Sequence, residues 1–199
     1  MQNLLLATNN KGKVDEIVAL LQELPLHILT PADLLLDLEV PEDGRTYAEN
    51  ASLKAVAFAR VANLPSLGDD SGLEVDALGG RPGLHSHRFC PLPNASDADR
   101  RAYLLEQLAG KPRPWSARFK ATVAIAVPGK AVELAAGICE GQIIPQERGT
   151  NGFGYDPIFL LPGGLTMAEL SMDQKNRLSH RALAVRSAIP ILERTLSLK

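Results

Sequence analysis

Leu64-Pro65-Ser66-Leu67-Gly68-Asp69-Asp70-Ser71-Gly72-Leu73-Glu74-Val75 runs from an apolar segment into two adjacent acids and out into a second apolar segment. Side chains of an extended chain alternate between opposite faces, so Asp69 and Asp70 project into one cavity together only if the chain turns there. Gly68 and Gly72 flank the pair and permit that turn. Two carboxylates brought close either share a proton or need a cation between them, and Ser71 adds a hydroxyl able to hold a substrate oxygen. A solvated Asp-Asp turn is the competing reading of the same residues.

The 199 residues carry a formal net charge of -2 with ordinary apolar and charged content, which fits a single domain over 1–199, or two closely joined lobes, around a real core. No apolar run is long enough to cross a bilayer, and Met1-Gln2-Asn3-Leu4 lacks the basic-then-apolar layout of a signal peptide, so a cytoplasmic location away from membranes is expected. Cys90 and Cys139 lie far apart with neither disulfide-framework nor zinc-site spacing, and read as free buried thiols. The near-neutral charge argues against general nucleic-acid binding, which needs a strongly basic surface.

Upstream, Leu4-Leu5-Leu6-Ala7 reads as a short buried strand, followed by a helix with Val14, Ile17, Val18, Leu21 and Leu24 on one face. Thr8-Asn9-Asn10-Lys11-Gly12-Lys13 joins them. A strand that passes through a polar loop into a helix N-terminus presents free N–H groups and a positive dipole end, which favours phosphate; a plain helix cap with solvated lysines is the alternative. The Walker A spacing is absent. His27-Ile28-Leu29 suits a second strand, and Thr30-Pro31-Ala32-Asp33 a short capped helix. Glu39-Val40-Pro41-Glu42-Asp43-Gly44 is an acidic loop. Thr46 and Glu49 have capping-box spacing for a helix from Tyr47 to about Ala62, with Ala51, Lys54, Val56, Phe58 and Ala59 available for packing. Asn50 and Lys54, four apart, share a face of that helix.

Downstream, Leu73 to Leu78 alternates like a half-buried strand, and Gly79-Gly80-Arg81-Pro82-Gly83 is a turn cluster. His85 and His87 lack the partners of a nitrogen and sulfur metal site. Ser96 and Asp99 cap a helix through Leu108. Phe119, Ala121, Val123, Ile125 and Val127 alternate into the Pro128-Gly129-Lys130 turn, and a second run returns from Val132 toward Ile144, a hairpin. Gly149-Thr150-Asn151-Gly152-Phe153-Gly154-Tyr155-Asp156-Pro157 holds two aromatics and an acid on a glycine-rich backbone before an Ile158 to Leu161 strand. The aromatics suit stacking on a flat ring, or fold back over their own loop. Thr166 and Glu169 form a further capping box, and Ser179-His180-Arg181 opens a final helix that points Leu183, Val185, Ile189 and Leu192 inward and is kinked or split by Pro190. Lys175, His180 and Arg181 offer the donors that a site choosing an oxygen over an amine would use.

Thr8-x-Asn10-x-x-Lys13, the Glu42-Asp43-Gly44 to Lys54 helix entrance, Asp69-Asp70-Ser71-Gly72-Leu73, Phe153-Gly154-Tyr155-Asp156-Pro157 and Ser179-His180-Arg181 occur in that order, and with them the sequence resembles the inosine/xanthosine triphosphate pyrophosphatases over nearly its whole length. Its departures are Asn9 where a glycine is frequent, Tyr155 where tryptophan is also used, and Pro190. The resemblance implies an α/β fold, an elongated central mixed sheet flanked by helices in two lobes with the active-site cleft between them. It implies hydrolysis of 6-oxo purine nucleoside triphosphates such as ITP, dITP and XTP to monophosphate and pyrophosphate, a magnesium requirement and a homodimer.

The chemistry of that reaction assigns roles. A polyanionic triphosphate needs its charge neutralised, and Mg2+ prefers carboxylate and phosphate oxygens, which makes Glu42 and Asp70 the metal candidates. By resemblance Asp70 also accepts the proton of the attacking water; a nearby Mg2+ would lower its pKa, so orienting that water is the larger role open to it. Asp69 supports it. Thr8, Asn10, Lys13, Lys54 and Ser71 are assigned to the triphosphate, with Lys54 pairing the acids as the alternative. The base lies against Phe153, with Tyr155 lining its pocket; Gly154 and Asp156 are assigned to substrate binding, and Lys175, His180 and Arg181 are the candidates for a donor to a 6-oxo group. Two other classes fit the same motifs, a non-catalytic purine nucleotide sensor and a phosphotransferase.

Overall fold

The computed structural model describes residues 1–198, which fold as a mixed α/β protein. Its seven strands run in the order β2-β1-β3-β5-β6-β7, with β4 paired to β3. They are β1 (Gln2–Leu6), β2 (Leu26–Leu29), β3 (Ser66–Val75), β4 (Pro82–Gly83), β5 (Trp115–Ala126), β6 (Glu133–Ile143) and β7 (Phe159–Leu160). The α-helices are α1 (Lys11–Leu21), α2 (Tyr47–Ala62), α3 (Asp97–Leu108), α4 (Met172–Leu178) and α5 (His180–Leu196). The chain divides into two compact units. Unit 1 holds residues 1–71, 121–137 and those from 180 on; unit 2 holds 72–120 and 138–179.

In unit 1, β1 pairs in parallel with both β2 and β3. Strand alternation sorts the side chains into two layers. Leu4, Leu6 and Leu67 go to one face with Ile17 and Leu21 of α1 and Val185, Ala188 and Leu192 of α5. Leu5 and Ala7 go to the other with Phe58 of α2, where Ala51, Ala55 and Ala59 also pack on Ala124 and Ala126. Burial on both faces explains why the last four residues of β5, 123–126, are buried at consecutive positions rather than alternately.

Gly68 lies on the α2 face, and what it permits there is not a turn. A Cβ at that position would fall on the Ala51 carbonyl oxygen and within 2.8 Å of the Ala55 nitrogen, so its absence lets α2 lie directly on the strand. The expected turn at the acids is therefore corrected: β3 continues through Asp69, Asp70, Ser71 and Gly72 as one extended strand.

Unit 2 has its own core, in which Leu73 and Val75 of β3 meet Leu104 and Leu108 of α3, Trp115 and Phe119 of β5, Ile143 of β6, and Tyr155, Ile158 and Phe159. The Phe119 and Phe159 rings lie 4.5 Å apart between centroids. β4 pairs antiparallel with the end of β3, and Asp76 to Leu78, expected as strand, form a 3-10 turn instead. Cys90 and Cys139 are free and buried, as their spacing indicates.

Local signals hold at the helix starts. Ser96 and Asp99 form a reciprocal capping box, as do Thr166 and Glu169. Thr46 accepts the Glu49 N–H, while the Glu49 carboxylate takes the Arg45 N–H. Three apolar assignments are corrected: Val18, Val56 and Leu183 are exposed, because each helix buries a narrower stripe than its apolar content suggests. Leu24 lies beyond the end of α1, and α5 runs through Pro190 as one helix. Among the described residues no helix is long and apolar enough to cross a membrane.

Candidate active site

Because β3 stays extended, its two acids leave on opposite faces and enter different environments. Asp69 shares the face of Leu67 and points toward α1 and α5. Its carboxylate pairs with Lys13 Nζ at 2.7 Å and takes Arg181 Nε at 3.2 Å and Nη2 at 3.3 Å. Arg181 donates further to Glu16 Oε2 at 2.5 Å and Ser71 Oγ at 3.0 Å. Asp69, Arg181 and Glu16 are at most 2% exposed. Burial by itself raises the Asp69 pKa, but Arg181, then Lys13, outweigh it and hold the carboxyl well below the ordinary carboxylate range. Burial likewise disfavours the Arg181 cation, and Asp69 and Glu16 overcome that and raise its pKa.

Asp70 shares the face of Gly68 and points toward α2. Its Oδ1 accepts from Lys54 Nζ at 2.9 Å and its Oδ2 from Asn50 Nδ2 at 3.2 Å, the two α2 residues that sequence spacing places on one face. Lys54 Nζ also donates to Glu42 Oε1 at 2.8 Å, so the alternative role read for Lys54, pairing the acids, is the one the side chain adopts. Burial pushes Asp70 above the ordinary carboxylate range against the pull of Lys54, and the like charge of Glu42 adds to the rise. Burial disfavours the Lys54 ammonium too, yet Asp70 and Glu42 together raise its pKa and keep it charged. Lys54 is therefore protonated and shared by two carboxylates, and the buried Asp70 takes a proton more readily than an exposed aspartate.

The loop before α1 is built by caps. Thr8 Oγ1 accepts the Asn10 N–H at 3.2 Å, and Asn10 Oδ1 caps the helix by accepting the Lys13 N–H at 3.0 Å. His180 is the first residue of α5 and is buried.

In unit 2, Asp156 organises the glycine-rich loop: its Oδ2 accepts the Phe153 N–H at 2.9 Å and Lys175 Nζ at 2.5 Å. Lys175 Nζ lies 5.0 Å from the centroid of the Phe153 ring, a cation–π arrangement. Gly154 is held from α3, its N–H donated to Asp97 Oδ2 at 2.7 Å and its carbonyl accepting Arg101 Nη1 at 2.9 Å; Arg101 also grips Glu147 with two bonds. Tyr155 is core: it is 4% exposed and its hydroxyl donates to the Ser86 carbonyl at 2.8 Å. Burial raises its pKa. The fold-back alternative therefore describes Tyr155, while Phe153 stays half-buried.

Arg181, a candidate donor to a purine oxygen, has its guanidinium engaged by Glu16, Asp69 and Ser71. Ser71, assigned to the triphosphate, lies on the Asp69 face and accepts from Arg181. Glu16, Asn50, Asp97 and Arg101 are the participants that sequence reading did not select. The signal for Glu16 was its place beside Ile17 on the buried side of α1, one turn beyond Lys13; Asn50 was visible as the face-mate of Lys54.

The chain matches the Ham1 family over residues 4–191. A dITP/XTP pyrophosphatase of Desulforamulus reducens is 46% identical over 193 residues, covering 96% of each chain. One of Geobacillus kaustophilus is 45% identical, covering 93% of this chain and 91% of the other. Among solved structures, a HAM1 protein from Coxiella burnetii superposes with a TM-score of 0.87 at 37% identity, covering 98% of this chain and all of that one.

Proposed function

Because this chain belongs to the Ham1 family, we propose that it hydrolyses 6-oxo purine nucleoside triphosphates, ITP, dITP and XTP, to the monophosphate and pyrophosphate, removing deaminated purines from the nucleotide pool. The observation that carries this reading is the Asp70, Glu42 and Lys54 cluster, two carboxylates converging on one cation at 2.9 and 2.8 Å. The pyrophosphatase relatives named above support it.

The same cluster fits magnesium. Its donors are hard carboxylate oxygens, already arranged around a single positive charge. Two carboxylates with substrate phosphates and water completing the shell is the usual magnesium complement. Glu42 and Asp70 would hold the ion, which when bound supplies neutralisation of the triphosphate charge. Asp70 orients the attacking water, and Lys54, released from sole charge of the acids, is a phosphate partner along with Lys13. Thr8, Asn10 and Ser71 complete the phosphate contacts, and Asp69 supports the site by holding Lys13 in place. Phe153 stacks on the purine, with Gly154 and Asp156 shaping its loop and Lys175 and His180 as donors to the 6-oxo oxygen. A buried donor left facing the 6-amino group of adenine costs about 1–3 kcal/mol, enough to disfavour ATP. The reading also makes the protein a cytoplasmic homodimer, and light scattering checks the dimer.

The deciding experiment is a panel of ITP, XTP, dITP, GTP and ATP with Mg2+, scoring pyrophosphate against orthophosphate. Pyrophosphate from the first three is expected. Orthophosphate as first product, or ATP hydrolysed as well as ITP, overturns the reading; His180→Ala should erode the preference for ITP over ATP.

A further inference from the structure

Asn50 is 1% exposed in the first turn of α2, and both ends of its amide are engaged. Its Oδ1 accepts the Gly44 N–H at 2.8 Å, and its Nδ2 donates to Asp70 Oδ2 at 3.2 Å. Gly44 lies two residues beyond Glu42. Lys54 joins Glu42 to the other oxygen of Asp70, so a closed circuit runs from Asp70 through Asn50 to the acidic loop, along that loop to Glu42, and back through Lys54.

From this circuit we propose that Asn50 is a positioning residue. It fixes the rotation of the Asp70 carboxylate and, through Gly44, the distance of the loop that carries Glu42, so that the two acids present oxygens to one divalent cation. The inference rests on the reading of Glu42 and Asp70 as the cation-holding pair.

The residue types at both ends suit this task. A side-chain amide offers an acceptor to the Gly44 N–H and a donor to a carboxylate from one planar group. Aspartate at 50 would keep the first bond and set a third carboxylate against Asp70; serine and alanine are too short to reach both. Glycine at 44 is required by the approach itself: a Cβ there would lie 2.5 Å from Asn50 Oδ1 and 2.8 Å from Glu49 Cβ, so any side chain would push the acidic loop away. A group that orients ligands without touching the metal characteristically changes metal affinity or activity by ~10–100-fold when removed.

The test uses the full chain and its Asn50→Ala and Asn50→Ser variants, the serine providing a polar replacement should alanine fail to fold. Free Mn2+ is counted by its paramagnetic resonance signal during titration, and kcat and KM for ITP are measured at saturating Mg2+ and at a temperature well below each thermal midpoint. The expected result is Mn2+ affinity weaker by about tenfold and kcat lower by at least about tenfold, with KM within about threefold of the unsubstituted protein. Unchanged Mn2+ affinity and kcat in a folded variant overturns the proposal, as does an unsubstituted protein that binds no Mn2+ at millimolar concentration. If that protein binds Mn2+ but hydrolyses no nucleotide, the substrate reading falls alone, and the Mn2+ titration of the variants still decides the role of Asn50.

Discussion

The acids of β3 and the loop from Gly149 to Asp156 are held in place by different physics. Around Asp69 and Asp70 the contacts are ion pairs between side chains drawn from α1, α2 and α5, several almost fully out of water. The loop is held mainly by side chains that bond its backbone, Asp156 to Phe153 N–H and Asp97 and Arg101 to the two peptide groups of Gly154. Loss of one charge in the first region strands its partners at low dielectric, whereas loss of one bond in the second lets a short segment move. The first region should therefore answer substitution with lost chemistry or lost stability, and the second with a looser grip on a ligand.

Four measurements can break that contrast. The largest effect is expected from Asp70→Asn, which keeps the shape and removes the charge: pyrophosphate release should fall by ~10³-fold while a nucleotide still binds, and a variant with a tenth of normal turnover would remove Asp70 from the chemistry. Next, Arg181→Met leaves Asp69 and Glu16 buried without their shared cation and should lower unfolding free energy by about 3–5 kcal/mol in a denaturant titration; a loss under 1 kcal/mol would mean that the network is not a structural unit.

Acid should expose the same network more gently. The pKa of Asp69 is depressed by folding, so its contribution is complete above the unfolded value of about 3.9 and is lost as pH falls toward the folded value. Below about pH 3.9 the wild-type chain should lose stability relative to Asp69→Asn by about 1.4 kcal/mol per pH unit, and parallel curves would contradict the pairing. The smallest change belongs to the loop: Arg101→Ala removes the donor to Gly154 and the grip on Glu147, and should cost about 1 kcal/mol or less of stability while raising KM for ITP and sparing kcat. A fall in kcat at unchanged KM would place the loop with the chemistry and erase the contrast.

What could be read from sequence depended on how far the determining partner lay along the chain. Ser96 and Asp99 act within a helical turn and their spacing shows the cap they form, while the spacing of Asn50 and Lys54 shows that they share a face but not that both meet Asp70. The Arg181–Glu16 pair spans 165 residues and exists only because α1 and α5 pack on the same face of β1 and β3. No local pattern marks it, and the sequence shows of Arg181 only its donors, not the acids they meet. The motif at Asp69 and Asp70 is legible in the sequence, but its geometry is not, for a different reason. A glycine beside two acids suggests a bend in the chain, whereas its missing side chain makes room for the Ala51 to Ala55 turn of α2. Tyr155 illustrates the reverse case, an aromatic on a glycine-rich loop that the core of unit 2 absorbs.

The straightness of β3 makes the division between its acids a matter of counting. Parity along ten residues decides that Asp69 meets Arg181 and Asp70 meets Lys54. A substitution at either position alters one environment, but insertion or deletion of a single codon between Ser66 and Asp69 would exchange the two faces at once. Inherited variation at this segment should consequently be rich in replacements and nearly devoid of length changes, a signature that a flexible turn holding the same two acids would not leave.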